Sequence, residues 1–148
     1  MKLLLDTNVL IDYFTRRQPY FDCWKQVLAM QYFGDAELWA SAKSFTDVFY
    51  VAKKPIGSKA LQAAFVESLS FINVCSIGKE DIEYAAAEPW DDFEDRLVDI
   101  AAQKVKADAI LTRDKKGFIL STIPSIAPDE LPEWVKNTYG LVYEEIDF

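Results

Sequence analysis

Short apolar runs alternate along this chain with stretches whose apolar residues recur at helical spacing. The runs are Lys2–Leu5, Glu37–Ala40, Phe71–Cys75, Ala109–Thr112 and, near the end, Ser125–Ala127. Runs this short, with no polar alternation, read as strands covered on both faces. Strands joined through helices pair in parallel. The alternation therefore predicts a three-layer α/β/α domain with a mostly parallel central sheet. The chain has 148 residues, of which 51% are hydrophobic and 14% aromatic, enough to bury the core of one domain and to exclude intrinsic disorder. No linker, repeat or low-complexity segment divides residues 1–148. They read as a single domain with an acidic tail at about residues 139–148.

The intervening stretches read as helices. One covers Val9–Phe14, and a second begins near Pro19 and stops near Gly34. A third is capped by Ser41 or Ser44, buries Phe45, Val48, Phe49 and Ala52, and ends at Pro55-Ile56-Gly57. Ser58–Leu69 and Lys79–Ala87 follow. The clearest helix is capped by Asp91 or Asp92 and runs to about Lys106. Residues 113–117 read as a turn, and a last short helix ends near Asn137. The aromatics Phe21, Trp24, Tyr32 and Phe33 on the second helix are candidate interface surface, although such residues are more often core.

Charge limits the chemistry. Twenty-four acids face sixteen bases, for a formal net charge of −8, and there is no His. The missing His removes Ser-His and Cys-His catalysis and every His metal ligand. Carboxylate chemistry, with or without a hard metal ion, remains. The imbalance is uneven. Residues 123–148 hold six acids and one base, whereas residues 1–122 hold eighteen acids and fifteen bases. Cys23 and Cys75 stand in apolar surroundings and read as buried, reduced thiols of a cytoplasmic protein. No apolar run approaches the roughly 20 residues of a membrane span, and the opening leucines are too few for a signal-peptide core.

In open α/β sheets, ligands bind outside the carboxyl ends of the strands. Asp6 stands at the end of the first strand and Asp114 just past the fourth. Taken singly, the first reads as a helix cap and the second as a turn residue. Asp95 shares a helix face with Asp99, four residues on. Asp95 falls at the margin of the apolar arc, and Asp99 falls just outside it on a face expected to be solvated. Asp47 sits at a similar half-buried margin, with Ser44 and Val51 beside it. Four acids at one sheet edge repel. Two like charges about 4 Å apart cost roughly 4 kcal/mol at an effective dielectric of about 20, so protons or a cation must neutralise them. A hard divalent ion with oxygen ligands suits such a site, activates water and stabilises charge on a phosphoryl group. Lys43, Arg96, Arg113, Lys115 and Lys116 lie near the proposed site, placed to meet a phosphate backbone.

Four blocks of the chain resemble the four blocks of a PIN domain. They are Leu3-Leu4-Leu5-Asp6-Thr7-Asn8-Val9-Leu10, Ser44-Phe45-Thr46-Asp47-Val48-Phe49-Tyr50, Asp92-Phe93-Glu94-Asp95 and Ala107-Asp108-Ala109-Ile110-Leu111-Thr112-Arg113-Asp114. The stretch from Ile126 to Trp134 resembles the family's closing strand and helix. The resemblance implies a compact α/β/α fold and a Mg²⁺- or Mn²⁺-dependent ribonuclease site. It implies metal ligation by Asp6 and Asp95, with Asp47 and Asp114 completing an acidic quartet, and Asn8 and Thr112 as polar supports. Small single-domain members are often VapC-like toxins of toxin–antitoxin pairs, held inactive by a cognate antitoxin and commonly dimeric. The chain departs from the pattern in carrying Asp47 where many relatives have Glu, in its added acid Asp99, and in its overall acidity. Two other readings are an acidic-pocket phosphoryl-accepting or phosphatase domain with Asp6 as nucleophile, and a catalytically inactive interaction module.

Overall fold

The computed structural model describes residues 1–143. Five parallel strands form one sheet in the order β3-β2-β1-β4-β5: β1 (Lys2–Leu5), β2 (Glu37–Ser41), β3 (Ile72–Cys75), β4 (Ala109–Leu111) and β5 (Ser125–Ile126). The helices are α1 (Thr7–Thr15), α2 (Tyr20–Tyr32), α3 (Ala42–Ile56), α4 (Ser58–Ser68), α5 (Lys79–Ala87), α6 (Phe93–Val105) and α7 (Leu131–Tyr139). A short 3-10 turn spans Lys115–Phe118.

Alternate residues of each strand supply two cores. Leu3, Leu5, Leu38, Ala40, Ala109 and Leu111 face α1, α2, α3, α4 and α7. Leu4, Ile110 and Cys75 face the opposite layer, where Val98, Ala101 and Ala102 of α6 cover them. Burial on both faces is why these runs lack polar residues. Asp6, Ser41 and Asp92 cap α1, α3 and α6 by accepting from the N–H groups of Thr7, Lys43 and Asp95. The caps expected at Ser41 or Ser44 and at Asp91 or Asp92 thus resolve to the first and the second member. Helix α3 continues through Pro55, and Gly57, at φ 91°, ends it.

The strand order reverses at β1. Both β2 and β4 flank it, and the chain leaves it in opposite directions in the two halves of the sheet. Such a switch point opens a crevice at the carboxyl edge, and Asp6 and the loop after β4 border it.

The aromatics of α2 divide. Trp24 is 1% exposed and donates from Nε1 to the Val9 carbonyl at 3.1 Å, whereas Tyr32 and Phe33 are exposed. Both cysteines are free thiols, Cys75 buried and Cys23 half-buried. No helix among the described residues is long and apolar enough to cross a membrane. Of the expected acidic tail, Glu144, Glu145 and Asp147 lie outside the described residues. The segment before them is fixed by Tyr143, whose hydroxyl donates to Asp35 Oδ2 at 2.5 Å.

Candidate functional site

Asp6 is 4% exposed. It is the last residue before α1, so its carboxylate caps that helix and also faces the crevice. Oδ1 accepts from the Thr7 N–H at 2.7 Å and Oδ2 from the Thr112 hydroxyl at 2.8 Å. Thr112 is fully buried, and its hydroxyl oxygen also accepts the Asp114 N–H at 2.9 Å. One hydroxyl thereby orients Asp6 and ties down the loop that carries Asp114. Asn8 holds the same loop by accepting the Arg113 N–H at 3.3 Å. The two residues expected as polar supports therefore act on the backbone after β4.

Asp95 enters from the first turn of α6 and is half-buried. Burial pushes its carboxyl up to about 7, and the charges of Asp6, Asp92, Asp114 and Glu94 push in the same direction. Asp6 is also raised, first by burial; the hydrogen bonds from Thr112 and Thr7 oppose this, and the charges of Asp114 and Asp92 add to it. The structure thus brings Asp6, Asp95 and Asp114 into electrostatic contact, with Asp92 beside them. It does not bring Asp47 to them. Asp47 Oδ2 accepts from Lys43 Nζ at 2.7 Å, and the same ammonium reaches Glu94 Oε1 at 3.3 Å.

Gly117 lies against two of these carboxylates. A methyl group there would clash with Asp95 Oδ2 and come within 3.1 Å of Asp114 Oδ2, so both carboxylates reach the same point beside its Cα. Residues 113–117 read from sequence only as a turn, because the need for a glycine comes chiefly from Asp95, on α6. Gly117→Ala is expected to change stability by less than about 1 kcal/mol, since an Asp side chain can rotate away. That rotation separates Asp95 from Asp114. The Asp95 carboxyl, followed by ¹³C NMR titration, is expected to fall only slightly below about 7, because burial and the charges of Asp6 and Asp92, the larger causes, remain.

The fit to a divalent cation rests on this donor set. Among the described residues, no group of three or more His, Cys, Asp or Glu side chains converges closely enough to hold a metal ion. Mg²⁺, however, keeps several waters and takes only one or two carboxylates. Asp6 and Asp95, both destabilised as anions, together with Asp114, suit that demand.

Two expectations need correction. Asp99 is not on a solvated face. It is fully buried and accepts from Arg96 Nη1 at 2.5 Å, from Gln103 Nε2 at 2.8 Å and from the Ser121 hydroxyl. The helical wheel misses this because the residues after the 3-10 turn cover that side of α6. Arg96, expected at a phosphate backbone, is 6% exposed. Its guanidinium is committed to Asp99 and lies over the rings of Trp90 and Tyr84, at 5.2 and 5.9 Å. Of the other cations, Lys43 pairs with Asp47 and Glu94, Arg113 with Asp12, and Lys115 with Glu130, while Lys116 is exposed. Asp12 was not singled out from the sequence. Its signal was a charge inside the apolar stretch Val9–Phe14, which calls for a buried partner.

A family model described as PIN domain matches residues 2–116. No curated protein sequence matches the chain. Among solved structures, it is similar to a toxin–antitoxin complex from Klebsiella pneumoniae, at 27% identity over 85% of this chain and 97% of that one, with a TM-score of 0.60. It shares its fold with VapBC2 from Rickettsia felis bound to a promoter DNA fragment, at 14% identity over 86% and 98% of the chains and a TM-score of 0.65. It also shares it with FitAB bound to an IR36 DNA fragment, at 16% identity over 85% and 94% and a TM-score of 0.58.

Proposed function

The chain belongs to the PIN-domain family, and from that premise we propose that it is a Mg²⁺- or Mn²⁺-dependent endoribonuclease. The observation that carries this reading is the meeting of Asp6, Asp95 and Asp114 from three chain segments at the sheet's switch point, with Asp95 pushed up to about 7. Asp6 and Asp95 hold the ion, and Asp114 orients it from the loop after β4. Thr112 and Asn8 fix Asp6 and that loop. When bound, the ion supplies an activated water and offsets charge developing on the phosphodiester. Asp47 completes the acidic quartet only by leaving Lys43. In its present position it holds that ammonium between α3 and Glu94, near the site's rim. Lys43, Lys115 and Lys116 meet the RNA backbone, whereas the Arg113 guanidinium is held by Asp12.

The likeness to the Klebsiella pneumoniae toxin–antitoxin complex supports a further part of the reading. The chain is the toxin of such a pair, held inactive by a cognate antitoxin, acting in the cytoplasm and commonly as a homodimer.

RNA cleavage with and without Mg²⁺, by wild type and by Asp6→Asn, tests the nuclease reading. Wild type is expected to cut only with the ion. Asp6→Asn is expected to fold, because the amide oxygen can still accept from the Thr7 N–H while its NH₂ donates to the Thr112 hydroxyl oxygen, and to lose cleavage. Equal cleavage by both proteins would end the proposal.

A further inference from the structure

A second feature of the carboxyl edge lies one residue from Asp114. Pro19, Tyr20 and Cys23 from the start of α2, Arg113 from the loop after β4, and Pro128 and Asp129 after β5 line a cavity of about 360 Å³. That volume lies within the range of small-molecule sites. Arg113 lines this cavity and is joined through the backbone to the acidic cluster. Its N–H is held by Asn8, and the next residue is Asp114.

The guanidinium of Arg113 is fixed in place. Nε donates to Asp12 Oδ2 at 2.7 Å and Nη2 to Asp12 Oδ1 at 3.3 Å, and the guanidinium carbon lies 4.4 Å from the Tyr20 ring centroid. Arg17 lies 5.5 Å from the same centroid. Asp12 is 1% exposed, and burial raises its carboxyl while Arg113 opposes that rise. Burying an ion pair is at best a weak source of stability. What Asp12 delivers here is geometric: a planar cation held against an aromatic ring at the wall of a cavity, beside the loop that carries a catalytic carboxylate. Unstacked bases of single-stranded RNA are held on aromatic rings and guanidinium planes, with hydrogen bonds to their edges.

We propose that this cavity is a nucleobase subsite that receives the base flanking the scissile phosphate, an inference that rests on the nuclease reading above. The Tyr20–Arg113 wall supplies the planar contact, and the prolines supply apolar lining. Asp129, exposed at the cavity, reads the base edge. A carboxylate only accepts hydrogen bonds, so it favours a base with adjacent donors. Guanine offers N1–H and the N2 amine side by side, whereas uracil offers one donor between two acceptors. The subsite therefore selects guanine over uracil.

Two measurements on the full chain test this. In the first, metal-free protein is titrated with the four ribonucleoside 5′-monophosphates and followed by amide NMR. Guanosine monophosphate is expected to shift Tyr20, Cys23 and Asp129 at about tenfold lower concentration than uridine monophosphate. Asp129→Asn, an exposed change, is expected to shrink that difference, and Tyr20→Ala to weaken all four. In the second, products from a randomised RNA cut in Mg²⁺ are sequenced. Guanine enrichment is expected at one fixed position beside the cut and is expected to flatten in Asp129→Asn. Shifts absent from the cavity with every nucleotide overturn the subsite, as does cleavage with no base preference. If guanosine monophosphate binds at Tyr20 but no RNA is cut, the nuclease reading fails and the cavity stands as a base site.

Discussion

Metal-free Asp95→Asn protein is expected to melt above wild type at pH 8 and to have lost metal-dependent RNA cleavage. Both effects have one cause. In the fold the Asp95 carboxyl is raised from 3.8 to about 7, first by burial and then by the charges of Asp6, Asp92, Asp114 and Glu94. The unfolded chain gives up this proton near pH 4 and the folded chain near pH 7. Between those values the native state binds more protons, so stability falls as pH rises across the window and levels off above it. Solvent screening at a half-buried site leaves roughly 1–2 kcal/mol of the full linkage energy. An amide at position 95 carries no charge and removes the penalty. At pH 8 the melting temperature should rise by about 3–6 °C, whereas at pH 4 the two proteins should melt together. The same substitution removes an anion the cation needs. Calorimetry at both pH values, alongside the cleavage assay, checks the pair of outcomes. A variant that melts at or below wild type at pH 8 would show that Asp95 is not strained in the metal-free protein.

The fold was legible because its strands are buried on both faces. Leu3-Leu4-Leu5 reads as a strand from the apolar run alone, and its alternation between two cores is a direct consequence. The carboxylates at strand ends were legible for the same reason, since the ends of β1 and β4 fix where Asp6 and Asp114 stand. Residues whose role depends on a distant segment were not legible. Asp99 looked solvated because a helical wheel shows only its own helix, while Ser121 comes from the segment after the 3-10 turn. Gly117 looked like any turn glycine because Asp95, whose carboxylate fills the space beside its Cα, lies on α6. Arg113 looked like a backbone-binding cation because its partner Asp12 lies 101 positions away. Asp47 sits at the half-buried margin that its helix position predicts, but the direction of its carboxylate is set by Lys43, one helical turn earlier.

Asp99→Ala is expected to be the most destabilising single substitution considered for this chain, at about 3–5 kcal/mol. Its carboxylate is fully buried and takes three side-chain donors, from Arg96, Gln103 and Ser121. Removing it leaves the Arg96 guanidinium with Glu88 at 3.8 Å as its remaining ion-pair partner and with Nε already lacking a hydrogen bond. An uncompensated buried charge accounts for most of the expected loss, which corresponds to a fall in melting temperature of roughly 10 °C. If the penalty is the stranded charge, removing both charges should restore much of it. Asp99→Leu combined with Arg96→Met should recover at least half of what Asp99→Leu alone loses, because apolar side chains of similar volume often replace a buried pair without cost. Urea unfolding of the two single variants and the double variant gives the coupling directly. The network also reaches the site, since Arg96 follows Asp95 on the first turns of α6. The double variant should therefore regain stability without fully regaining cleavage. Its methionine lacks the guanidinium that lies over Trp90 and links this part of α6 to the segment leading into its cap. Additive losses in the cycle would show that packing around Asp99, rather than its charge, holds this side of the helix.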